Sequence, residues 1–213
     1  FIYPSLHMYL LFVIYGIYFV AGRLLGVFGS VGDFARLFVS DPSSFYIIGR
    51  GVTVLFSAGL AVLVYLAGRE LHSRRTGLTA SLMLTIAPLM LENGAKIKGD
   101  TLICFFVLLS FIFMLRIMEG GRMKDYLLSG IFLGVAVSIK YNAAIMAPVL
   151  FIAHIVRTAE ERGHFKNCVF DRRLFAAFLI TIGVFFAGTP FALLDFSRFL
   201  KDLSLIHISE PRD

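Results

Sequence analysis

Glu92-Asn93-Gly94-Ala95-Lys96-Ile97-Lys98-Gly99-Asp100 is a stretch of nine residues carrying four charges. The run before it, Leu78 to Leu91, is apolar, and so is the run after it, Thr101 to Leu115. Two apolar helices therefore pinch one short polar loop, and Asp100 stands where the second helix begins. A helix needs roughly 20 mostly apolar residues to cross the hydrocarbon core of a bilayer. Working outward, further runs of that kind occupy Met8 to Val20 (extendable to Phe28), Phe45 to Leu66, Tyr126 to Ile139, Ala143 to Val156 and Leu174 to Leu194. The chain is 58% hydrophobic with a mean hydropathy of +0.84, and its charged residues, 16% of the total, cluster between these runs. The fold class expected is all-α, a polytopic transmembrane helical bundle with roughly six to seven membrane segments.

The connectors carry their own signals. Pro4-Ser5-Leu6-His7 opens the first run, where a proline costs nothing because the first N–H groups of a helix have no partner. Asp41-Pro42-Ser43-Ser44 marks a turn, and Phe34 to Val39 reads as a short amphipathic helix lying in the membrane interface. Pro88 falls late in its run, and Lys140-Tyr141-Asn142 splits the fifth run from the sixth.

Several classes are excluded. A β-barrel requires alternating segments of roughly 10 residues, and none is present. The net charge of +6 does not indicate nucleic acid, because the Lys and Arg residues flank apolar runs. They set topology instead: the basic loops 69–75, 116–125 and 157–173 belong in the cytoplasm. That places 92–100, 140–142 and 190–203 on the opposite face. It also requires the chain to cross twice between 125 and 157, so the Lys140 corner is a hairpin apex. Cys104 and Cys168 make no disulfide framework. There is no Gly-rich phosphate loop, no His pair at metal spacing and no Ser/His/Asp arrangement. His7 stands alone.

The chemistry available lies at the polar corners, and each residue there has a plain reading beside a functional one. Asp100 caps a helix start, where the dipole favours an anion, or it contacts an acceptor hydroxyl or a divalent metal. Lys96 and Lys98 are solvated, or they neutralise a phosphate. Lys140 snorkels to the interface or meets a phosphate, and Tyr141 beside it can stack on a sugar or a lipid headgroup. Arg50, in the first turns of its helix, snorkels or pairs with an anion. Glu92 and Asn93 are further candidates.

Taken in order, Pro4-Ser5-Leu6, Arg50, Gly68-Arg69-Glu70-Leu71, Lys98-Gly99-Asp100, Ser138-Ile139-Lys140-Tyr141-Asn142-Ala143-Ala144 and Thr189-Pro190-Phe191-Ala192-Leu193-Leu194-Asp195 resemble the family 39 glycosyltransferases. These are GT-C enzymes related to the protein O-mannosyltransferases and the lipid A aminoarabinose transferases. The resemblance implies a membrane-embedded transferase moving a sugar from a polyprenyl-phosphate lipid to an acceptor on the non-cytoplasmic face of a bacterial or archaeal plasma membrane. It implies an acidic residue at Asp100, a hairpin Lys at Lys140 and an early-helix Arg at Arg50. Lys140, Lys98, Arg50 and Lys96, with Tyr141, are then the donor-binding candidates. Two departures stand out: Ala95 occupies a position where the family usually has Arg, and the family's principal catalytic acid lies upstream of Phe1. Residues 1–203 are accordingly expected to be a partial glycosyltransferase domain without activity of its own. Ser204-Leu205-Ile206-His207-Ile208-Ser209-Glu210-Pro211 resembles translated adapter sequence, which makes 204–213 a non-native tail. A transporter or flippase membrane domain is the alternative reading, since broken helices and intramembrane charge also mark transporters. A non-catalytic membrane scaffold is the third.

Overall fold

The computed structural model describes residues 4–162 and 171–197, with the side chains of 160–162 left aside. The expected tail at 204–213, Cys168, the middle of the 157–173 loop and the end of 190–203 lie outside the described residues. Among the described residues every regular element is helical. That is the only open-chain solution in lipid, where each backbone N–H and C=O must be satisfied within its own segment.

Among the described residues four helices are long and apolar enough to cross a membrane: Leu6–Leu24, Ser43–Leu71, Asp100–Gly120 and Tyr141–Ala159. The expectation of six to seven is not reached by this measure, for a physical reason. The run 78–91 breaks at Ala87, whose backbone is extended (φ −64°, ψ 126°) because the proline that follows disfavours the α region. Two other apolar helices, Met123–Ile139 and Arg172–Gly188, are 17 residues each. At ~1.5 Å per residue that is about 25 Å, short of the roughly 30 Å core.

The chain divides into two compact units. One is His7–Leu102. It holds α1 (Leu6–Leu24, from His7 on), α2 (Val31–Ser40), α3 (Ser43–Leu71), α4 (Arg74–Ile86), α5 (Pro88–Gly94) and the start of α6 (Asp100–Gly120). The short helix expected at 34–39 is α2. Ser30 caps it, its hydroxyl accepting the Asp33 N–H at 3.2 Å. Phe34 and Phe38 on its apolar side meet Phe45 edge-on at 5.0 and 4.9 Å between ring centroids. Tyr18 and Phe28 extend this aromatic cluster. Helices α3 and α4 form an antiparallel hairpin in which the backbones touch. A Cβ on Gly77 would stand 2.4 Å from the Tyr65 carbonyl, and one on Gly68 would stand 2.8 Å from Gly77 Cα. Ser73 caps α4 by accepting the Thr76 N–H, and Ser81 Oγ donates to the Ala61 carbonyl at 2.8 Å further along. The Ala87 break opens an apolar cleft of about 400 Å³ lined by Ser57, Ala58, Ala61, Leu84, Met90 and Gly94, among others.

The other unit comprises the described residues before His7 and from Ile103 on. It holds most of α6, then α7 (Met123–Ile139), a 3₁₀ turn (Tyr141–Met146), α8 (Ala147–Arg162), α9 (Arg172–Gly188) and α10 (Phe191–Leu194). Gly121, with φ +57°, turns α6 into α7, its N–H closing on the Ile117 carbonyl at 3.0 Å. Met114, Ile117, Tyr126, Leu133, Leu150, Ala153 and Ala177 form the core. Tyr126, at the start of α7, and His154, late in α8, share a hydrogen bond of 2.6 Å, both side chains fully buried. The two helices therefore run antiparallel from the Lys140 corner. Helix α9 runs parallel to α7: Gly130 faces Ala177, Gly134 faces Thr181, and Ser138 Oγ donates to the Phe185 carbonyl at 3.3 Å. Small residues spaced by four let such backbones close up.

Asp171 caps α9 at the end of this unit that also carries Gly121. Its buried carboxylate accepts the Arg173 N–H at 2.7 Å and pairs with the guanidinium at 3.2 Å. Burial alone would push this carboxyl up; the hydrogen bonds and charge of Arg173 outweigh it and hold it below the ordinary 3.8. The stabilisation is therefore complete above 3.8 and disappears as the pH falls through the lower folded-state value. Between about pH 5 and about pH 2 the unfolding midpoint in detergent is expected to fall further for wild type than for Asp171→Asn. Equal declines in the two proteins would show that this pair contributes nothing.

Candidate active site

The polar stretch 92–100 is not one loop. Its first residues finish α5, and only 95–99 bridge to α6. Ala95 closes α5 with its N–H on the Leu91 carbonyl. The Lys98 N–H then bonds the Lys96 carbonyl at 3.0 Å, a tight three-residue turn. Ile97, the one large apolar residue of the bridge, packs against Gly49 of α3, where a Cβ would stand 2.7 Å from Ile97 Cδ1 and 3.0 Å from Tyr15 Oη. Tyr15 in turn donates to the Phe45 carbonyl at 3.2 Å. Burying Ile97 this way leaves its neighbours Lys96 and Lys98 exposed on either side.

The two lysines are not equivalent. Lys96 Nζ bonds Glu92, one helical turn earlier. The hydrogen bond and charge of Lys96, with a smaller contribution from Lys98, hold the Glu92 carboxyl below its usual range. Part of the Lys96 charge is thus already answered within the loop. Asp100 is the first residue of α6 and half-buried.

The bridge therefore gathers Lys96, Lys98 and Asp100, and the Ile97–Gly49 contact sets the backbone beside Arg50 against it. The Arg50 side chain itself lies exposed on α3 and makes no hydrogen bond or ion pair among the described residues. Lys140 and Tyr141 form a corner of their own in the other unit. Lys140 closes α7 in an extended conformation (φ −155°, ψ 128°), its N–H on the Ala136 carbonyl and its carbonyl accepting the Ala143 N–H at 3.1 Å. Its side chain is half-buried, as is Tyr141, whose ring stands 6.2 Å from that of Phe185 on α9. In the same corner Ser5 Oγ donates to the Gly188 carbonyl at 3.4 Å.

Sequence reasoning passed over His7. It lies in the first turn of α1 and within electrostatic reach of Asp100. No spacing links positions 7 and 100. The only signal is that both stand at the start of an apolar run. Among the described residues no three His, Cys, Asp or Glu side chains come together as metal ligands.

Apolar helices of spanning length with charge confined to the corners define an integral membrane protein. The sequence profile of the dolichyl-phosphate-mannose-protein mannosyltransferase family matches residues 34–186, well over half of the chain, and the chain belongs to that family. It is thus a membrane glycosyltransferase of the GT-C type, in a family that implies a lipid-linked sugar donor. Arg50, Lys96, Lys98, Asp100, Lys140 and Tyr141 all fall inside the matched span, and His7 falls before it. No curated protein and no solved structure matches the chain.

Proposed function

We propose that this chain forms part of an enzyme that transfers a sugar from a polyprenyl-phosphate donor to an acceptor on the non-cytoplasmic face of a bacterial or archaeal plasma membrane. The family match over residues 34–186 carries this reading. An acidic helix start flanked by lysines supports it. The chemistry is a displacement at the anomeric carbon: the acceptor oxygen attacks, its proton passes to a carboxylate, and the lipid phosphate leaves. Asp100 contacts the acceptor hydroxyl. Lys98 and Arg50 in one unit, and Lys140 separately in the other, are each assigned as a cation for the lipid phosphate, since fixed positive charge stabilises the charge that develops as it leaves. Lys96 supports Lys98 while bound to Glu92, and Tyr141 stacks on the sugar or the headgroup.

The test uses the protein expressed from its complete gene in native membranes, supplied with radiolabelled polyprenyl-phosphate mannose or aminoarabinose. Label appearing in a membrane or periplasmic acceptor is the expected result. Well-folded protein that transfers from no polyprenyl-phosphate donor would overturn the reading in favour of a transporter domain.

A further inference from the structure

We propose that His7 and Thr101 flank Asp100 as a hydroxyl-binding pair, hydrogen-bonding the vicinal hydroxyls of a sugar, or the acceptor hydroxyl, held at this corner. The inference rests on the reading of Asp100 given above. Its starting point is two polar atoms that the fold leaves unused. His7 Nδ1 and Thr101 Oγ1 are both buried and have no hydrogen-bond partner among the described residues. Thr101 as a whole is 3% exposed. A buried polar group without a partner destabilises the fold, and native structures keep few of them.

Thr189 Oγ1, just past the end of α9, is likewise buried without a partner among the described residues. Within the helices, the buried hydroxyls of Thr53, Ser110, Ser138 and Thr158 instead bond a carbonyl of their own or a neighbouring helix. Thr53 donates to Gly49 at 3.3 Å, Ser138 to Gly134 at 2.8 Å, Thr158 to His154 at 2.8 Å, and Ser110 to Ser129 at 2.9 Å. Thr101 is the second residue of α6, so the residue four before it, Ile97, lies outside the helix and supplies no such carbonyl. Its hydroxyl is buried yet kept out of the backbone ladder. His7 sits at the equivalent place on α1, as its second residue. Thr101 follows Asp100 at the start of α6, and His7, at the start of α1, lies within electrostatic reach of Asp100.

These three groups match a diol better than an ion. A neutral imidazole offers one donor and one acceptor, a Thr hydroxyl offers both, and a carboxylate accepts only. Vicinal hydroxyls need that mixture. Among the described residues no third His, Cys, Asp or Glu joins the group. A free anion would meet the Asp100 carboxylate.

The experiment takes the protein from its complete gene, in detergent micelles, as wild type, His7→Phe, His7→Asn and Thr101→Val. Thr101→Val preserves side-chain shape, and His7→Asn keeps a polar atom near the Nδ1 position. Thermal shifts are read with farnesyl-phosphate mannose and with farnesyl phosphate lacking the sugar, and turnover is read in membranes. If the pair holds the donor sugar, the extra stabilisation given by the sugar disappears in His7→Phe and Thr101→Val, and turnover falls on the order of tenfold. If it holds the acceptor hydroxyl, the donor shifts are unchanged, while turnover falls as much through a raised acceptor KM. His7→Asn recovers most of the loss in either case. The proposal is overturned if His7→Phe and Thr101→Val bind and turn over like wild type with a raised melting point, as unused polar atoms replaced by apolar ones would. That result alongside a dead Asp100→Asn sinks the pair alone. A wild type that neither binds nor uses the donor sinks the transferase reading with it.

Discussion

Asp100→Asn is expected to lower sugar transfer by about a hundredfold or more at unchanged protein level. The substitution keeps size and shape. Asn is as good as Asp at a helix start, so α6 should begin where it does now. What disappears is the negative charge that holds the acceptor hydroxyl. Asp100 is half-buried as the first residue of α6. If Asp100 only completes the helix start, the variant transfers at close to the wild-type rate, and the 92–100 corner leaves the active site. The measurement is transfer of radiolabelled sugar in membranes, normalised to the protein present.

The corner reads differently in sequence and in structure for reasons that can be traced to single residues. The helical class follows from the lengths of the apolar runs, and the Lys140 hairpin follows from which loops are basic. Both are properties of composition and spacing, so both are legible in one dimension. The number of crossings is not, because it depends on whether Pro88 bends a helix or ends it. Here it ends it, since Ala87 takes the extended conformation. The stretch 92–100 is legible as polar but not as partly helical, because Glu92, Asn93 and Gly94 complete α5 before the bridge begins. Ile97 carries the information that splits the lysines: it seats against Gly49, a contact across 48 positions that no local pattern announces. His7 has no local signature at all. It acquires meaning only from Asp100, which the fold brings near it.

Gly130→Val is expected to destabilise the unit that carries the Lys140 corner by about 3 kcal/mol, read as a lowered unfolding midpoint in detergent. Helices α7 and α9 have little hydrophobic force driving them together in lipid, where the surrounding tails are as apolar as their own side chains. Close approach and interhelical hydrogen bonds must hold them. A Cβ at Gly130 would lie 2.5 Å from both the Ala177 carbonyl oxygen and Ile180 Cγ2. A flexible side chain can move aside, but a backbone carbonyl in a helix cannot, so the two helices must separate. Separation stretches the bond from Thr181 Oγ1 to the Gly130 carbonyl, now 3.1 Å, and loosens Gly134, whose Cβ would stand 2.7 Å from the Thr181 carbonyl. The strain then runs to Ser138 and to Tyr141, which meets α9 through Phe185. Transfer should therefore fall along with stability, although Gly130 lies ten residues from Lys140 and bears no functional group. Gly183 on the same helix α9 is the control, because a Cβ there meets nothing within 4 Å. Gly183→Ala is expected to stay within about 1 kcal/mol of wild type and to gain rather than lose helix propensity. A Gly130→Val protein with an unshifted midpoint would mean that α7 and α9 do not pack through these glycines, and the geometry of the Lys140 corner would have to be sought elsewhere.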